Sequence, residues 1–262
     1  MRVLYAMVTR HCNLSCAHCD IRTDADDGWN EEAFLRALKA FDGRRILFGG
    51  EPSVCMDRTK LVAPYCDSVS TNLLQATDEF LSVIQNLGVA TSWTPGRFTK
   101  EQERAWVENV QRLHEKPTLL VTLTPDLVMN PGTGRFMSLL KRYGDSFSDV
   151  TLEQLEDATK PQEYYDYVDD WLCWLYKETE GQRHLFPQFQ KGSKWIYDCS
   201  KTYTLLPTGE LRYGCPQYKR TEIVAVCYSC PIAEKCQPCR LQKKCTGPQK
   251  LLQLIGNDTS KD

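Results

Sequence analysis

Over its first 180 residues the chain alternates short apolar segments with longer segments of helical periodicity. The strand-like segments are Arg2–Thr9, Arg44–Phe48, Ser68–Asn72, Val89–Trp93, Pro117–Leu123 and Val150–Leu152. The helical segments are Trp29–Phe41, Asp78–Leu87, Lys100–His114, Gly134–Tyr143 and Pro161–Glu178, with Asn30 predicted to cap the first and Gly88 the second. Strands that alternate with helices of about 10–15 residues indicate βαβ units. The pattern therefore predicts an α/β fold with six mostly parallel strands.

Composition narrows the class of protein. The chain has 262 residues, 42% hydrophobic and 25% charged, which is enough for a large domain with or without a small one. Its net charge of −2 provides no basic field that would favour nucleic acid or an anionic membrane. No apolar run approaches the ~20 residues of a membrane span, and the first strand is too short for a signal sequence. We expect a cytoplasmic protein without a membrane partner.

Three cysteines follow the first strand with the spacing C-x3-C-x2-C, at Cys12, Cys16 and Cys19. The chain has 13 cysteines, and without a signal sequence metal binding explains them better than disulfides do. Thiolates suit iron–sulfur clusters and zinc. Three of them can hold three corners of a four-iron cluster and leave one iron open, as a reactive metal site requires. Taken alone, the triad could also be a zinc knuckle or a chance cluster.

This spacing, directly after an N-terminal strand, resembles the signature of the radical S-adenosylmethionine (SAM) enzymes. The resemblance implies a partial (β/α)6 TIM-like barrel, whose active site lies at the carboxyl ends of the strands. It also implies a [4Fe-4S] cluster on Cys12, Cys16 and Cys19 with SAM on the open iron. One electron then cleaves SAM to methionine and a 5′-deoxyadenosyl radical, which abstracts hydrogen from a substrate carbon.

Further residues match the same family. Gly49-Gly50-Glu51-Pro52 is similar to its GGEP motif, which contacts the SAM amino group, although the segment could be an ordinary turn. Asn72 ends the third strand as in the family, or serves only as a cap. Ser92 stands where the family often has Ser-x-Asp-Gly and would contact the SAM carboxylate or ribose, but the residues after it depart from that motif. His11 and His18, the latter at a position usually aromatic in the family, flank the cluster and would either tune it through hydrogen bonds or simply face solvent.

Seven more cysteines lie near the carboxyl end, at Cys199, Cys215, Cys227, Cys230, Cys236, Cys239 and Cys245. They resemble the SPASM domain, which carries auxiliary four-iron clusters in radical SAM enzymes. That resemblance implies a first cluster on Cys199, Cys215 and Cys239 and a second on Cys227, Cys230, Cys236 and Cys245. The first then has its fourth position filled by another group or open to substrate.

The spacings depart from the SPASM pattern, so one auxiliary cluster or two remain open. A structural zinc on Cys227, Cys230, Cys236 and Cys239 is the competing hypothesis. We therefore predict a radical SAM barrel over residues 1–180, a SPASM-like cluster domain over 181–246 and a tail over 247–262.

The two resemblances imply a radical SAM oxidoreductase or isomerase that abstracts hydrogen from an amino-acid-derived carbon. Enzymes with SPASM domains mostly rearrange, crosslink or oxidise peptides and proteins. The alternative is DNA modification of the phage type, in which an aminoacyl-thymidine is isomerised. A non-enzymatic iron–sulfur or zinc scaffold is a distant alternative. The basic residues Arg240, Lys243 and Lys244 form either an ordinary solvated face or a patch that attracts an acidic reductant such as flavodoxin or a ferredoxin.

Overall fold

The structure is a computed structural model that describes residues 2–17, 19, 21, 24–128, 132–154, 162–180 and 202–213. The strands are β1 (Val3–Met7), β2 (Arg44–Phe48), β3 (Ser68–Thr71), β4 (Gly88–Trp93), β5 (Thr118–Leu123), β6 (Asp149–Gln154), β7 (Thr202–Leu205) and β8 (Leu211–Tyr213). The α-helices are α1 (Glu31–Ala40), α2 (Met56–Val62), α3 (Asp78–Ile84), α4 (Lys100–Gln111), α5 (Pro125–Val128), α6 (Gly132–Tyr143) and α7 (Gln162–Glu178). Single 3-10 turns lie at Pro52–Val54, Ala63–Tyr65 and Gly144–Ser146.

These strands form one sheet of eight in the order β6-β5-β4-β3-β2-β1-β7-β8. Every neighbouring pair is parallel except β7 and β8, which form an antiparallel hairpin. The predicted α/β class and mostly parallel sheet are confirmed, and the arrangement agrees with a partial TIM-like barrel. All six predicted strands are present, whereas β7, β8 and the short helices α2 and α5 were not predicted.

Along each central strand, residues alternate between two environments, because successive side chains point to opposite faces of a sheet. In β5 the residues Leu119, Val121 and Leu123 are buried, and those between them are half-buried. The buried face packs on the helices. The opposite face, which we call the inner face, carries half-buried residues that include Tyr5, Phe48, Ser70, Ser92 and Thr122. These half-buried residues adjoin the carboxyl ends of the strands.

Aromatic residues join the helices to the buried face. Trp106 of α4 is fully buried, and its indole N–H donates to Thr91 Oγ1 of β4 at 2.9 Å. The same ring stacks on Phe147, with ring centroids 5.7 Å apart. This hydrogen bond satisfies the polar edge of the indole inside an apolar layer, so the contact orients α4 as well as burying it.

Local signals explain where helices begin. Asn30 caps α1 as predicted, since its side chain accepts from the Ala33 N–H at 3.0 Å. Thr99 and Gln102 form a reciprocal capping box at the start of α4. Gly88, which the sequence predicts as a helix cap, instead begins β4, because α3 already ends at Ile84. No helix in the described ranges is long and apolar enough to cross a bilayer.

The hairpin β7–β8 extends the sheet beside the first strand. β7 runs parallel to β1, and the turn that follows it packs on α1. A Cβ at Gly209, whose φ is +84°, would lie 2.4 Å from the Ala33 Cβ, so glycine is required there. These residues fall within the predicted cluster domain of 181–246, whose other residues lie outside the described ranges. The tail at 247–262 lies outside them too, so the domain boundaries stay a prediction.

Candidate active site at the carboxyl edge of the sheet

The predicted site residues follow four neighbouring strands. The cysteine loop comes after β1, Gly49-Gly50-Glu51-Pro52 after β2 and Asn72 after β3, while Ser92 is the next-to-last residue of β4. These strands lie side by side in the order β4-β3-β2-β1. Because parallel strands bring their carboxyl ends to one edge, the structure brings these residues together where α/β sheets usually bind ligands.

The glycine segment is in direct contact with the backbone of the cysteine loop. The Gly50 N–H donates to the Thr9 carbonyl at 2.8 Å, and the Glu51 N–H donates to the His11 carbonyl at 2.8 Å. A Cβ at Gly49 would lie 2.5 Å from the Thr9 oxygen, and one at Gly50 would lie 2.1 Å from the His11 oxygen. Real Cβ atoms do not come this close, so both positions require glycine. The two motifs are thereby held as one unit.

Glu51 is a buried carboxylate, only 1% exposed. It accepts hydrogen bonds from the Thr71 hydroxyl at 2.7 Å, the Asn72 N–H at 2.6 Å and the Ser53 N–H at 3.1 Å. The last of these caps the 3-10 turn that Pro52 begins. All three donors are neutral, and none of the described residues forms an ion pair with Glu51. A buried anion without a cation favours a positively charged ligand group.

Asn72 connects the third strand to the cysteine loop. Its amide donates to Asn13 Oδ1 at 2.6 Å and lies 3.9 Å from Cys12 Sγ. The next residue, Leu73, has a φ of +55°, a strained conformation for a branched side chain. The Asn109 side chain of α4 holds that turn by donating to the Leu73 carbonyl at 2.8 Å. Asn13, inside the cysteine motif, was not predicted as a site residue.

The three thiols of the loop differ in exposure. Cys12 and Cys16 are half-buried, whereas Cys19 is exposed. Burial raises the pKa of the Cys12 thiol, the Leu14 N–H partly opposes this, and negative charge on Glu51 and the other two cysteines raises it further. Burial also raises the pKa of the Cys16 thiol, against the positive charge of a nearby arginine. Metal binding would displace these protons, because the thiolate is the ligand form.

A buried ion pair supports the start of the cysteine loop. The Asp27 carboxylate accepts from Arg58 at 2.8 Å, from the Thr9 hydroxyl at 3.1 Å and from the Arg10 N–H at 3.2 Å. Burial alone would raise the pKa of Asp27, but these hydrogen bonds and the Arg58 charge outweigh it and lower the pKa. The Arg58 guanidinium lies over the Trp29 ring, 4.7 Å from its centroid. Nothing in the sequence marked this pair, because its members are separated by 31 positions.

Ser92 lies beside an arginine that was also missed. Arg97, in the loop between β4 and α4, donates from Nη1 to Ser92 Oγ at 2.5 Å. It is the arginine whose charge acts on the Cys16 thiol. A basic residue directly after the departure from Ser-x-Asp-Gly was the available signal. The site therefore pairs a cation on the β4 side with a buried anion, Glu51, on the β2 side.

The three thiols of the cysteine loop suit a four-iron cluster and a single metal ion to different degrees. In the part of the chain that the structure describes, no three His, Cys, Asp or Glu side chains converge on a single metal ion. A four-iron cluster makes a different demand, since each thiolate binds its own iron at a separate corner. Three thiols on one loop, two of them half-buried at the strand edge, fit that demand. His18 and the seven predicted C-terminal ligands lie outside the described residues, so their roles stay predictions.

The chain is similar to a known protein in its fold. No protein-family model matches the chain, and no curated protein matches it. Its fold is similar to the crystal structure of SuiB from Streptococcus suis, a radical SAM-type protein. The superposition has a TM-score of 0.55 with 12% identity, and it covers 95% of this chain and 66% of SuiB. The chain thus spans about two thirds of the length of SuiB and shares its fold.

Proposed function

We propose that this chain is a radical SAM enzyme that abstracts hydrogen from an amino-acid-derived carbon of a peptide or protein. The supporting observation is the contact between two motifs: the Gly49–Pro52 segment is hydrogen-bonded to the cysteine loop, with Glu51 buried beside it. A scaffold that only stored iron or zinc would not need a buried carboxylate without a cation at this position. The similarity to the fold of SuiB supports the same proposal.

In this proposal Cys12, Cys16 and Cys19 hold the cluster. When bound, such a cluster with SAM on its open iron supplies the electron that cleaves SAM to methionine and a 5′-deoxyadenosyl radical. The Glu51 carboxylate would accept hydrogen bonds from the amino group of SAM, which would neutralise its buried charge. Asn72 links Glu51 to the cysteine loop. Its backbone N–H donates to the Glu51 carboxylate, and its side-chain amide donates to Asn13 in the cysteine loop.

The substrate would approach from the inner face of the sheet, where half-buried residues of β1 to β6 adjoin the site. A radical at an amino-acid carbon is stabilised by the adjacent nitrogen and carbonyl, so this class of C–H bond is a favourable target. The chemistry supplied by bound SAM would move one hydrogen atom from this carbon to the 5′-deoxyadenosyl group, and the unpaired electron would stay on the substrate. Selectivity would come from position, because only a correctly held carbon lies within reach.

The C-terminal cysteines are proposed to hold one or two auxiliary [4Fe-4S] clusters in the SPASM-like region. Such a cluster could take an electron from the substrate radical or bind the substrate through an open iron. A flavodoxin or ferredoxin would supply electrons to the enzyme. These parts of the proposal depend on the resemblance in sequence.

The first experiment measures iron, sulfide and 5′-deoxyadenosine after anaerobic reconstitution with SAM and dithionite. We expect well over about four irons per chain and broad absorption near ~400 nm, as for thiolate-bound clusters. The control replaces Cys12, Cys16 and Cys19 together by Ala, which should abolish 5′-deoxyadenosine but leave the C-terminal iron. Stoichiometric zinc with little sulfide, or 5′-deoxyadenosine from the triple variant, would reject the proposal.

The second experiment addresses the abstracted hydrogen. A candidate peptide deuterated at one amino-acid carbon is incubated with the enzyme, and the 5′-deoxyadenosine is weighed by mass spectrometry. We expect a mass increase of one deuterium. If 5′-deoxyadenosine forms without deuterium from the peptide, this part of the proposal is wrong. Deuterium transfer from a sugar or an unsubstituted base carbon, measured in the same way with a deuterated nucleoside, would place the chain in another class of radical SAM enzymes.

A further inference from the structure

An arginine side chain joins the two ends of the cysteine loop. Arg10 lies shortly before Cys12, and Ile21 lies shortly after Cys19. The Arg10 Nε donates to the Ile21 carbonyl at 3.1 Å, and the Arg10 side chain is half-buried. Because this hydrogen bond spans 11 positions, it encloses all three cysteines. A bond that closes a loop reduces the conformational freedom of the residues between its ends.

Asp27 holds the residues directly before the first cysteine. Its carboxylate accepts from the Thr9 hydroxyl at 3.1 Å and from the Arg10 N–H at 3.2 Å. The Thr9 oxygen in turn accepts from the His11 N–H at 3.1 Å. One carboxylate therefore fixes three consecutive residues, two of them directly and the third through Thr9. Since Cys12 follows at once, the placement of the first thiol depends on Asp27.

Arg58 connects this carboxylate to the rest of the fold. Its Nη1 lies 2.8 Å and 2.9 Å from the two oxygens of Asp27, and it also donates to the Val8 carbonyl at 3.1 Å. The Asp27 side chain is fully buried, and Arg58 belongs to α2. We call the group formed by Arg10, Asp27 and Arg58 the clasp. The clasp links the end of β1, the residue Ile21 beyond the last cysteine, and α2.

The ion pair in the clasp is better explained by the geometry it imposes than by stability. A buried ion pair is a weak source of net stability, because desolvating two charges costs about as much as their attraction returns. Apart from Arg58, the described hydrogen-bond donors to Asp27 are Thr9 and Arg10, at the entrance to the cysteine loop. The geometry that this pair imposes is therefore that of the loop.

The three thiols of the loop resist being held together. Burial raises the pKa of the Cys12 thiol, and negative charge on Cys16 and Cys19 raises it further. As thiolates the three groups repel one another, which favours a more open loop. Contacts outside the loop can oppose this opening before any metal is bound. A loop that is already ordered loses less conformational entropy when it receives its ligand.

We propose that the clasp keeps the cysteine loop in its metal-binding conformation in the metal-free chain, so that Arg10, Asp27 and Arg58 are positioning residues for the three thiols. The proposal rests on the proposed function in one respect, since only a cluster gives a preformed set of thiols a use. It goes beyond that function because none of the three residues belongs to the cysteine motif or to the Gly49–Pro52 segment.

The first measurement is amide hydrogen exchange of the reduced, metal-free chain, read by mass spectrometry on peptides that span residues 9–19. The test variant is Arg10→Met, which removes the donor to Ile21 and leaves the ion pair intact. Arg10→Lys is the conservative variant. The matched control is Arg112→Met, because Arg112, at the end of α4, also donates to a backbone carbonyl, that of Ala76, at 2.7 Å.

Exchange across residues 9–19 should be roughly 10-fold to 100-fold faster in Arg10→Met than in the parent, the usual effect of losing a hydrogen bond from a charged group. Exchange within the strands of the sheet should not change. Arg10→Lys should restore most of the protection, because a lysine ammonium can also donate to the Ile21 carbonyl. Arg112→Met should leave the loop as it is in the parent.

Asp27→Asn tests the centre of the clasp, but it also lowers the stability of the whole fold. Its control is Trp106→Phe, which removes a hydrogen bond to Thr91 in the core and none in the loop. Circular dichroism checks that both variants are folded at the temperature of exchange. The loop should exchange roughly 10-fold or more faster in Asp27→Asn than in Trp106→Phe. Equal exchange in the two would mean that Asp27 contributes only global stability, which would contradict the proposal.

The second measurement follows the thiols themselves. Iron and sulfide are added anaerobically, and the thiols that remain free are blocked with N-ethylmaleimide at successive times, with metal-free samples as the baseline. Mass spectrometry of the loop peptide then gives the rate at which Cys12, Cys16 and Cys19 become protected. Protection should be roughly 10-fold slower in Arg10→Met and Asp27→Asn than in the parent, whereas both controls should match the parent.

Two further results would overturn the inference. One is that the loop exchanges at the same rate in the parent and in Arg10→Met. The other is that exchange becomes faster while the three thiols are protected at the parent rate, since the clasp would then order the loop without positioning its thiols. Failure of the proposed function looks different: iron and sulfide would protect no loop thiol even in the parent, whereas exchange in the metal-free chain would still decide whether the clasp holds the loop.

Discussion

Replacing Gly50 by alanine tests the contact that holds the two motifs together. The added methyl carbon would lie 2.1 Å from the His11 oxygen, 2.6 Å from the His11 carbonyl carbon and 2.7 Å from the Arg10 oxygen. All three are backbone atoms, so no side-chain rotation relieves the clash. The glycine segment and the cysteine loop must therefore move apart.

The cost can be estimated from two contributions. Overpacking of a tight contact costs about 1–3 kcal/mol. The hydrogen bonds from Gly50 N–H to Thr9 and from Glu51 N–H to His11 cross the same contact, and losing both costs about 1–3 kcal/mol. The total of about 2–6 kcal/mol is a large share of the roughly 5–15 kcal/mol that stabilises a typical domain. The melting temperature should fall by at least about 5 °C.

The assay is urea unfolding of the metal-free chain, followed by circular dichroism, together with SAM affinity after reconstitution. Gly134→Ala is the matched control, because no atom lies within 4 Å of a Cβ at Gly134 in α6. There alanine should leave stability unchanged or raise it by about 0.5–1 kcal/mol. Equal unfolding midpoints and equal SAM affinities for the two variants would refute the reasoning that the close approach at Gly50 is required.

Three further predictions concern other contacts. Asp27→Asn should lower the free energy of unfolding by about 2–4 kcal/mol by leaving Arg58 unpaired. Folding lowers the pKa of Asp27, so the difference in unfolding free energy between parent and variant should be complete above pH ~4 and shrink as the pH falls through the lower folded pKa. Urea titrations between pH 3 and pH 7 can follow this change. A constant difference over that range would contradict the prediction. Glu51→Gln should weaken SAM binding by roughly 10-fold or more. It should also cost about 1–3 kcal/mol in stability, since the glutamine amide cannot accept from both the Ser53 N–H and the Asn72 N–H. Unchanged SAM affinity by calorimetry would exclude an ammonium ligand. Trp106→Phe should cost about 1–3 kcal/mol in chemical unfolding, because Thr91 loses its donor in the core; a neutral effect would mean that this hydrogen bond contributes no net stability.

Local sequence signals predicted much of the fold. Alternating apolar strands and amphipathic helices identified six strands of one parallel sheet, and the predicted cap Asn30 directly precedes α1. These features depend on neighbours in sequence, through side-chain periodicity and end-capping. Gly88 was misassigned because a glycine after a helix can also be the first residue of the next strand.

Parallel topology also made part of the site predictable. Once the strands are parallel, the segments that contain Cys12, Gly50 and Asn72 must share one edge of the sheet, because each follows the carboxyl end of a strand. The resemblance to radical SAM motifs supplied their proposed chemistry. Sequence alone therefore determined which strand ends carry the candidate site.

Tertiary structure decided the contacts between residues distant along the chain. The pairing of β7 with β1 joins segments about 200 residues apart, and no local pattern specifies it. The Asp27–Arg58 ion pair and the strained turn at Leu73 depend on which elements happen to pack together. Arg97 became part of the site only because the loop after β4 turns it back onto Ser92 and toward Cys16. Periodicity and spacing describe the positions of residues along one element, whereas charge balance and hydrogen-bond satisfaction depend on all the elements around a group.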